Sequence, residues 1–272
     1  MYELQDVRKV FDGSPALDGI SLTIGRGEQV AFIGPSGAGK TTLFRIMNLT
    51  LRPTSGRLRL DGVDVAALGG AALRRARMRL GSIYQQHNLV GRLPVVDNVL
   101  AGHLGRWSAL AAVGSLLSPR AGDAARALGQ VGIPEKLWTR TDELSGGQQQ
   151  RVAIARVLIQ DPDVILADEP VSSVDPVLAV GIVTLLRDLS AESRKTLLMN
   201  LHSVDLALAY FPRIIGIRGG RVQFDLSPDK VRPEVLDELY AGDTDERQAL
   251  DVSRQGARPF GGACRPLPGF ER

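Results

Sequence analysis

Nine consecutive residues, Gly34-Pro35-Ser36-Gly37-Ala38-Gly39-Lys40-Thr41-Thr42, have the make-up of a polyphosphate cradle. They fit the pattern G-x-x-x-x-G-K-[ST] and follow the apolar run Gln29-Val30-Ala31-Phe32-Ile33, which reads as a buried strand. Leu43-Phe44-Arg45-Ile46-Met47 then sets apolar residues at helical spacing, so the loop lies between a strand and a helix. Glycines let the backbone wrap closely around an anion with successive N–H groups turned inward. The helix N-terminus adds unpaired N–H groups and the positive end of its dipole. Lys40 is expected to reach the β- and γ-phosphates of a nucleotide, Thr41 to place its hydroxyl on Mg²⁺, and Thr42 to add a phosphate contact. The alternative is a glycine-rich turn that only caps a helix, and motif and context together argue against it.

Other polar groups stand at the ends of apolar runs. Leu80-Gly81-Ser82-Ile83-Tyr84 stops at Gln85-Gln86, where open α/β sheets bind their ligands. Val164-Ile165-Leu166-Ala167 suits a buried parallel strand and ends in Asp168-Glu169-Pro170. Two adjacent carboxylates there, in a chain with a phosphate loop, suit Mg²⁺ binding and water activation. Thr196-Leu197-Leu198-Met199-Asn200 leads to His202, again just past a core strand, although a lone histidine is more often structural than catalytic. Leu144-Ser145-Gly146-Gly147-Gln148 opens a helix in which Ser145 is a good N-cap and two glycines leave N–H groups open to an anion. Phe11 lies between the first two strands; it reads either as a half-buried strand residue or as an aromatic stacked on adenine.

The elements that must position these groups follow from the pattern. Residues 2–33 alternate apolar and polar positions in several short segments, read as antiparallel strands. Asp61-Gly62 reads as a hairpin turn. From about 87 to 160 the pattern becomes helical, with candidates at 95–104, 122–131 and 146–159, and looks like a helical subdomain inserted in the core. A helix runs from Asp175 through Leu189, two strands fall within 213–226 around Gly219-Gly220, and a helix lies near 233–240. Beyond Gly242 the chain turns polar, then rich in Gly, Pro and Arg, and reads as a flexible tail over 243–272.

Bulk composition narrows the function classes. The 272 residues are 44% hydrophobic and 23% charged, as in ordinary globular proteins. A net charge of +3 gives no electrostatic reason to expect nucleic acid. Arg74, Arg75, Arg77 and Arg79 read as a solvated helix face, with phosphate or lipid contact the weaker reading. The single cysteine, Cys264, allows no internal disulfide and suits a reducing compartment. The first residues lack the basic and apolar regions of a secretion signal. The most membrane-like stretch, 107–117, is far short of the ~20 apolar residues that span a bilayer, so a membrane role must be borrowed from a partner.

Taken in order, these motifs resemble those of the ATPase subunits of ABC transporters, over roughly residues 2–240. Nucleotide loop, glutamine loop at Gln85, signature 144–148, acidic strand end, Asp175 loop and His202 switch follow one another as in that family. The resemblance implies an α/β P-loop NTPase fold with a mainly parallel core sheet, an N-terminal antiparallel β-subdomain and an inserted helical subdomain, all within 1–242. It implies ATP and Mg²⁺ as ligands. Phe11 would stack on adenine, although the family often has tyrosine there. Gln85 would sense Mg²⁺ and the γ-phosphate; Asp168 would hold Mg²⁺; Glu169 would orient and deprotonate the attacking water; His202 would contact the γ-phosphate. Asp175 sits in Ser172-Ser173-Val174-Asp175 rather than the commoner Ser-Ala-Leu-Asp.

The resemblance further implies a homodimer in which the signature of one subunit faces the nucleotide loop of the other. It implies integral-membrane permease subunits docking around 89–99, a substrate-binding protein, no nucleic-acid partner, and a peripheral position on the cytoplasmic face of the membrane. A narrower likeness, to the ATPases of phosphonate importers, rests on Asn88-Leu89-Val90, the run 98–105, Asn200-Leu201-His202 with Asp205-Leu206-Ala207, and Arg213-Ile214-Ile215-Gly216. Another cargo, such as phosphate, phosphite, polar amino acids or a released lipoprotein, is the nearest alternative. A soluble ABC protein acting on ribosomes or DNA is the more distant one.

Overall fold

The computed structural model describes residues 1–86, 88–105, 121–172 and 174–242. His87, Ser173, the apolar stretch 107–117 and the proposed tail 243–272 lie outside the described residues.

Two sheets carry the fold. The first is antiparallel, in the order β2-β1-β4-β5, from β1 (Tyr2–Phe11), β2 (Ser14–Ile24), β4 (Ser55–Leu60) and β5 (Val63–Asp64). Both of its hairpins turn on an Asp-Gly pair at positive φ, Asp12-Gly13 and Asp61-Gly62, the backbone that matches the natural strand twist. The sequence alternation looked like several short segments, whereas β1 and β2 are long. The register slips between Leu4 and Val7, between Val7 and Arg8 and between Lys9 and Val10. Such bulges interrupt the two-residue period without ending the strand.

The second sheet has six strands in the order β10-β9-β3-β8-β7-β6. These are β3 (Gln29–Ile33), β6 (Leu80–Tyr84), β7 (Val164–Asp168), β8 (Thr196–Asn200), β9 (Arg213–Arg218) and β10 (Arg221–Leu226). Pairing is parallel from β9 to β6, and only the β9–β10 hairpin is antiparallel. Both faces are covered. Ala31, Ile33, Leu197 and Met199 enter one core cluster and Val30, Phe32 and Leu198 the other. Full burial of each large apolar side chain is worth ~1.5–3 kcal/mol, and this double coverage explains why the strands read as unbroken apolar runs.

One core cluster includes the apolar face of α1 (Lys40–Met47), with Leu43, Phe44, Ile46 and Met47 buried. The other extends into the helical part: α3 (Val95–Leu100), α4 (Ala121–Gln130) and α5 (Gly146–Gln160). The helix expected over 95–104 ends as α-helix at Leu100 and tightens into a 3₁₀ turn, Ala101–His103. There Gly102 passes so close to α5 that a β-carbon on it would lie 2.3 Å from the Arg156 carbonyl oxygen. α6 (Pro176–Glu192), α7 (Val204–Tyr210) and α8 (Pro233–Leu239) follow.

The arginines of α2 (Gly70–Met78) and its C-cap divide. Arg74 and Arg75 are exposed, as a solvated face requires. Arg77 instead donates twice to the Leu49 carbonyl, and Arg79 pairs with Asp61 and Asp163. Half of the group therefore clamps chain segments together, a role that one-dimensional spacing cannot reveal.

Parallel register brings the strand ends into one rank. Phe32 pairs with Asn200, Asn200 with Asp168, and Asp168 with Tyr84. The residues just beyond this rank therefore leave the sheet at one carboxyl edge, where open α/β sheets bind ligands.

Candidate nucleotide site

The loop 34–39 leaves β3 and enters α1, and two of its glycines are obligatory. Gly34 has φ 146° and a β-carbon there would lie 1.9 Å from the Ile217 carbonyl oxygen. Gly39 has φ 100°, and its β-carbon would lie 2.4 Å from the Ala16 carbonyl oxygen. Side chains are excluded because β9 and β2 press on the loop from outside. Gly220 N–H donates to the Ala38 carbonyl and Asp18 N–H to the Gly220 carbonyl, tying loop, β-hairpin and β2 together. Lys40 is 4% exposed. Its ammonium group lies inside the loop, donating to the carbonyls of Gly34 (2.5 Å) and Pro35 (3.0 Å). A buried cation held inside a glycine-rich loop at the head of a helix suits an anion.

Asp168 stands across from this cradle. Its Oδ1 accepts from the Thr41 hydroxyl at 3.3 Å and from Asn200 Nδ2 at 2.7 Å. Burial holds its carboxyl above the ordinary carboxylate range; the charge of Glu169 adds to this, while the Asn200 and Thr41 hydrogen bonds and the Lys40 charge oppose it. A carboxyl with raised proton affinity beside a hydroxyl gains from a cation. Among the described residues no group of three or more His, Cys, Asp and Glu could hold a metal ion. The donor set is thus two oxygens, Thr41 and Asp168. That fits Mg²⁺, which keeps waters and completes its shell with phosphate oxygens.

Glu169, the next residue, has φ 52°, a left-handed conformation that costs a non-glycine residue ~1–2 kcal/mol. Its N–H still donates to the Asn200 carbonyl at 3.2 Å, so the strand ladder holds the turn in place. The carboxylate meets His202, with Oε1 2.7 Å from Nε2. His202 itself follows β8 by two residues, and Leu201 N–H is bonded to the Phe32 carbonyl. Lys40, Thr41, Asp168, Glu169 and His202 are thus gathered from three strand ends.

Gln85 is exposed immediately after Tyr84, the register partner of Asp168. Phe11 ends β1, is 41% exposed, and carries the Lys9 ammonium 5.0 Å from its ring centre. The signature 144–148 is built on α5 rather than on the central rank. Ser145 and Gln148 form a reciprocal capping box, at 3.3 and 3.0 Å, worth ~1 kcal/mol. Gly147 packs against Leu178 of α6, while around Gly146 nothing lies within 4 Å of an added β-carbon. Asp175 caps α6, its Oδ1 accepting from the N–H groups of Val177 and Leu178.

Sequence reasoning missed a role for Asn200. It is fully buried, and its Oδ1 is without a hydrogen-bond partner among the described residues. The available signal was a polar side chain ending an otherwise apolar strand beside the acidic one.

The chain is similar to known proteins over most of its length. The family model described as "ABC transporter" matches residues 17–172. The phosphonates import ATP-binding protein PhnC 2 of Pseudomonas aeruginosa is 50% identical over 234 residues, 85% of this chain and 87% of that protein. The phosphonates import ATP-binding protein PhnC 3 of Halalkalibacterium halodurans is 44% identical, over 88% of this chain and 94% of that protein. Among solved structures, the dimeric post-hydrolysis state of the ATP-binding cassette MJ0796 bound to ADP and Pi aligns with a TM-score of 0.74 and 31% identity, covering 84% of this chain and 99% of that one. The chain belongs to the ABC transporter family, as one of its ATP-binding proteins.

Proposed function

We propose that this protein is the ATP-hydrolysing subunit of an importer for phosphonates: ATP and water go to ADP and phosphate, and the energy drives uptake. The observation that carries the hydrolytic part is the Glu169–His202 contact of 2.7 Å beside the Thr41–Asp168 pair. The cargo assignment is supported by the phosphonate relatives at 44–50% identity over most of both chains. Cargo does not enter the ATPase site, so no side chain described above selects it.

In this reading the loop N–H groups and Lys40 bind the β- and γ-phosphates. Thr41 and Asp168 would hold Mg²⁺, which would supply positive charge to offset that of the phosphates. Glu169 accepts a proton from the attacking water, with His202 fixing its carboxylate and contacting the γ-phosphate. Gln85 reaches the same phosphate from the end of β6, and Phe11 stacks on adenine. The signature 144–148 acts on the nucleotide of a second copy, its open Gly146 leaving the helix N-terminus clear for phosphate. Asp175, at the head of α6, lies beside that contact. Two copies close around two nucleotides and separate after hydrolysis, a two-state interface biased by the γ-phosphate.

Residues 1–242 form the ATPase domain, the helical subdomain spans about 87–160, and 243–272 is an appended tail. The partners are membrane permease subunits, docking around 89–99, and a separate phosphonate-binding protein. Among the described residues no helix is long and apolar enough to cross a membrane. In this reading the subunit attaches through the permease at the cytoplasmic face. The test is reconstitution with the permease and binding protein of the source cells. ATP-dependent accumulation of a labelled phosphonate supports the reading; accumulation of phosphate or an amino acid instead would reassign the cargo, and futile ATPase without transport would remove the importer role.

A further inference from the structure

Gln85 stands on a different element from the phosphate loop and is exposed. The residue before it supplies the connection. The Tyr84 hydroxyl accepts a hydrogen bond of 2.8 Å from Asn48 Nδ2, and Asn48 is the C-cap of α1, the helix that begins at Lys40. The cap is itself fixed, since the Asn48 N–H donates to the Phe44 carbonyl. At its other end the glutamine loop is tied to α5, which begins in the signature: Arg156 donates to the Asn88 carbonyl at 2.7 Å. Tyr84 is thus tied to the phosphate-loop helix and Asn88 to the signature helix. Tyr84, Asn48 and Ser82 also form a common wall. On one side is a cleft of about 410 Å³ that carries Arg74, Arg77 and Arg156, and on the other a small pocket that reaches Asp168.

We propose that Tyr84 is a positioning residue for ATP hydrolysis, its hydroxyl and Asn48 forming a latch that fixes Gln85 against Lys40 and Thr41. The ladder with β7 sets the Tyr84 backbone, and the hydrogen bond adds a directional tie from its side chain to the cap of α1. The proposal rests on the role given above to Gln85.

The experiment compares steady-state ATPase activity of the full chain with Tyr84→Phe, Asn48→Ala, the double variant and Gln85→Ala. Tyr84→Phe removes one oxygen and keeps the half-buried ring, so folding is preserved. The expected result is a drop in kcat of about tenfold in each single variant, with KM for ATP within about twofold of wild type. The double variant should be no slower than the singles, because both remove the same bond. Tyr84→Phe with unchanged kcat while Gln85→Ala is impaired would overturn the latch alone, as would additive losses in the double variant. Unchanged kcat in Gln85→Ala would remove the role of Gln85, and the latch with it.

Discussion

Asn200→Leu isolates the electrostatics of Asp168, the carboxylate proposed to hold Mg²⁺. Asn200 is fully buried, and leucine repeats its branching with the same number of side-chain heavy atoms, although its methyl groups are bulkier than the amide. It removes an Oδ1 without a hydrogen-bond partner among the described residues, and such an atom costs ~1–3 kcal/mol when buried. That gain offsets the lost bond from Nδ2, and the bulkier methyl groups cost ~1–3 kcal/mol, so stability should fall by no more than ~3 kcal/mol. The effect on Asp168 is one-sided. Its Oδ1 loses a 2.7 Å donor, and a hydrogen bond to a charged group is worth ~1.5–3 kcal/mol. Loss of that donor should push the Asp168 pKa further in the direction in which burial already raises it. Mg²⁺ would compete with that proton. The acid limb of the pH–kcat profile should therefore move to higher pH, with activity recovering on the alkaline side. Measurement of kcat across pH at saturating ATP and limiting Mg²⁺, alongside thermal denaturation, checks both parts. An unmoved acid limb in a stably folded variant would refute the reasoning.

Asp168→Asn should raise the stability of the nucleotide-free protein at neutral pH while abolishing Mg²⁺-dependent turnover. The sign follows from the raised pKa: between the unfolded and folded values the native state holds more protons than the unfolded chain, so stability falls as pH rises through that window, and asparagine removes the slope; denaturant titrations at two pH values check it. Gly34→Ala should lose ATP binding and about 3 kcal/mol or more of stability, because its β-carbon would overlap the Ile217 carbonyl at 1.9 Å; calorimetric titration with a non-hydrolysable nucleotide is the readout. Gly146→Ala has open space and should keep or slightly raise stability, by up to ~1 kcal/mol, yet lose ATPase activity at least about tenfold if a second copy's phosphate approaches there.

Much of this molecule was legible in the sequence because parallel central strands leave plain marks. Val164-Ile165-Leu166-Ala167 is apolar throughout because both faces are covered, so the next residues, Asp168 and Glu169, stand out as an edge. The Ser145 N-cap is local and was readable from spacing, whereas its reciprocal partner Gln148 and the Asp175 cap emerge only in the structure. Long-range pairings were not. Nothing in the spacing says that Asn200 bonds Asp168, 32 positions away, or that Tyr84 reaches Asn48 across 36. The left-handed turn at Glu169 is likewise invisible, since glutamate gives no positive-φ signal of the kind glycine gives. The arginines of α2 show the same limit, because their partners come from elsewhere in the chain.

The assignment of Glu169 as the base beside His202 is tested most directly by Glu169→Gln. The amide keeps the size and hydrogen bonding of the carboxylate but cannot take a proton, so ATP turnover should fall on the order of 10²–10⁴-fold. ATP should still bind, and sedimentation should show ATP-dependent dimers that persist because the γ-phosphate is not lost. Turnover near the wild-type rate would contradict the account and require another group to activate the water.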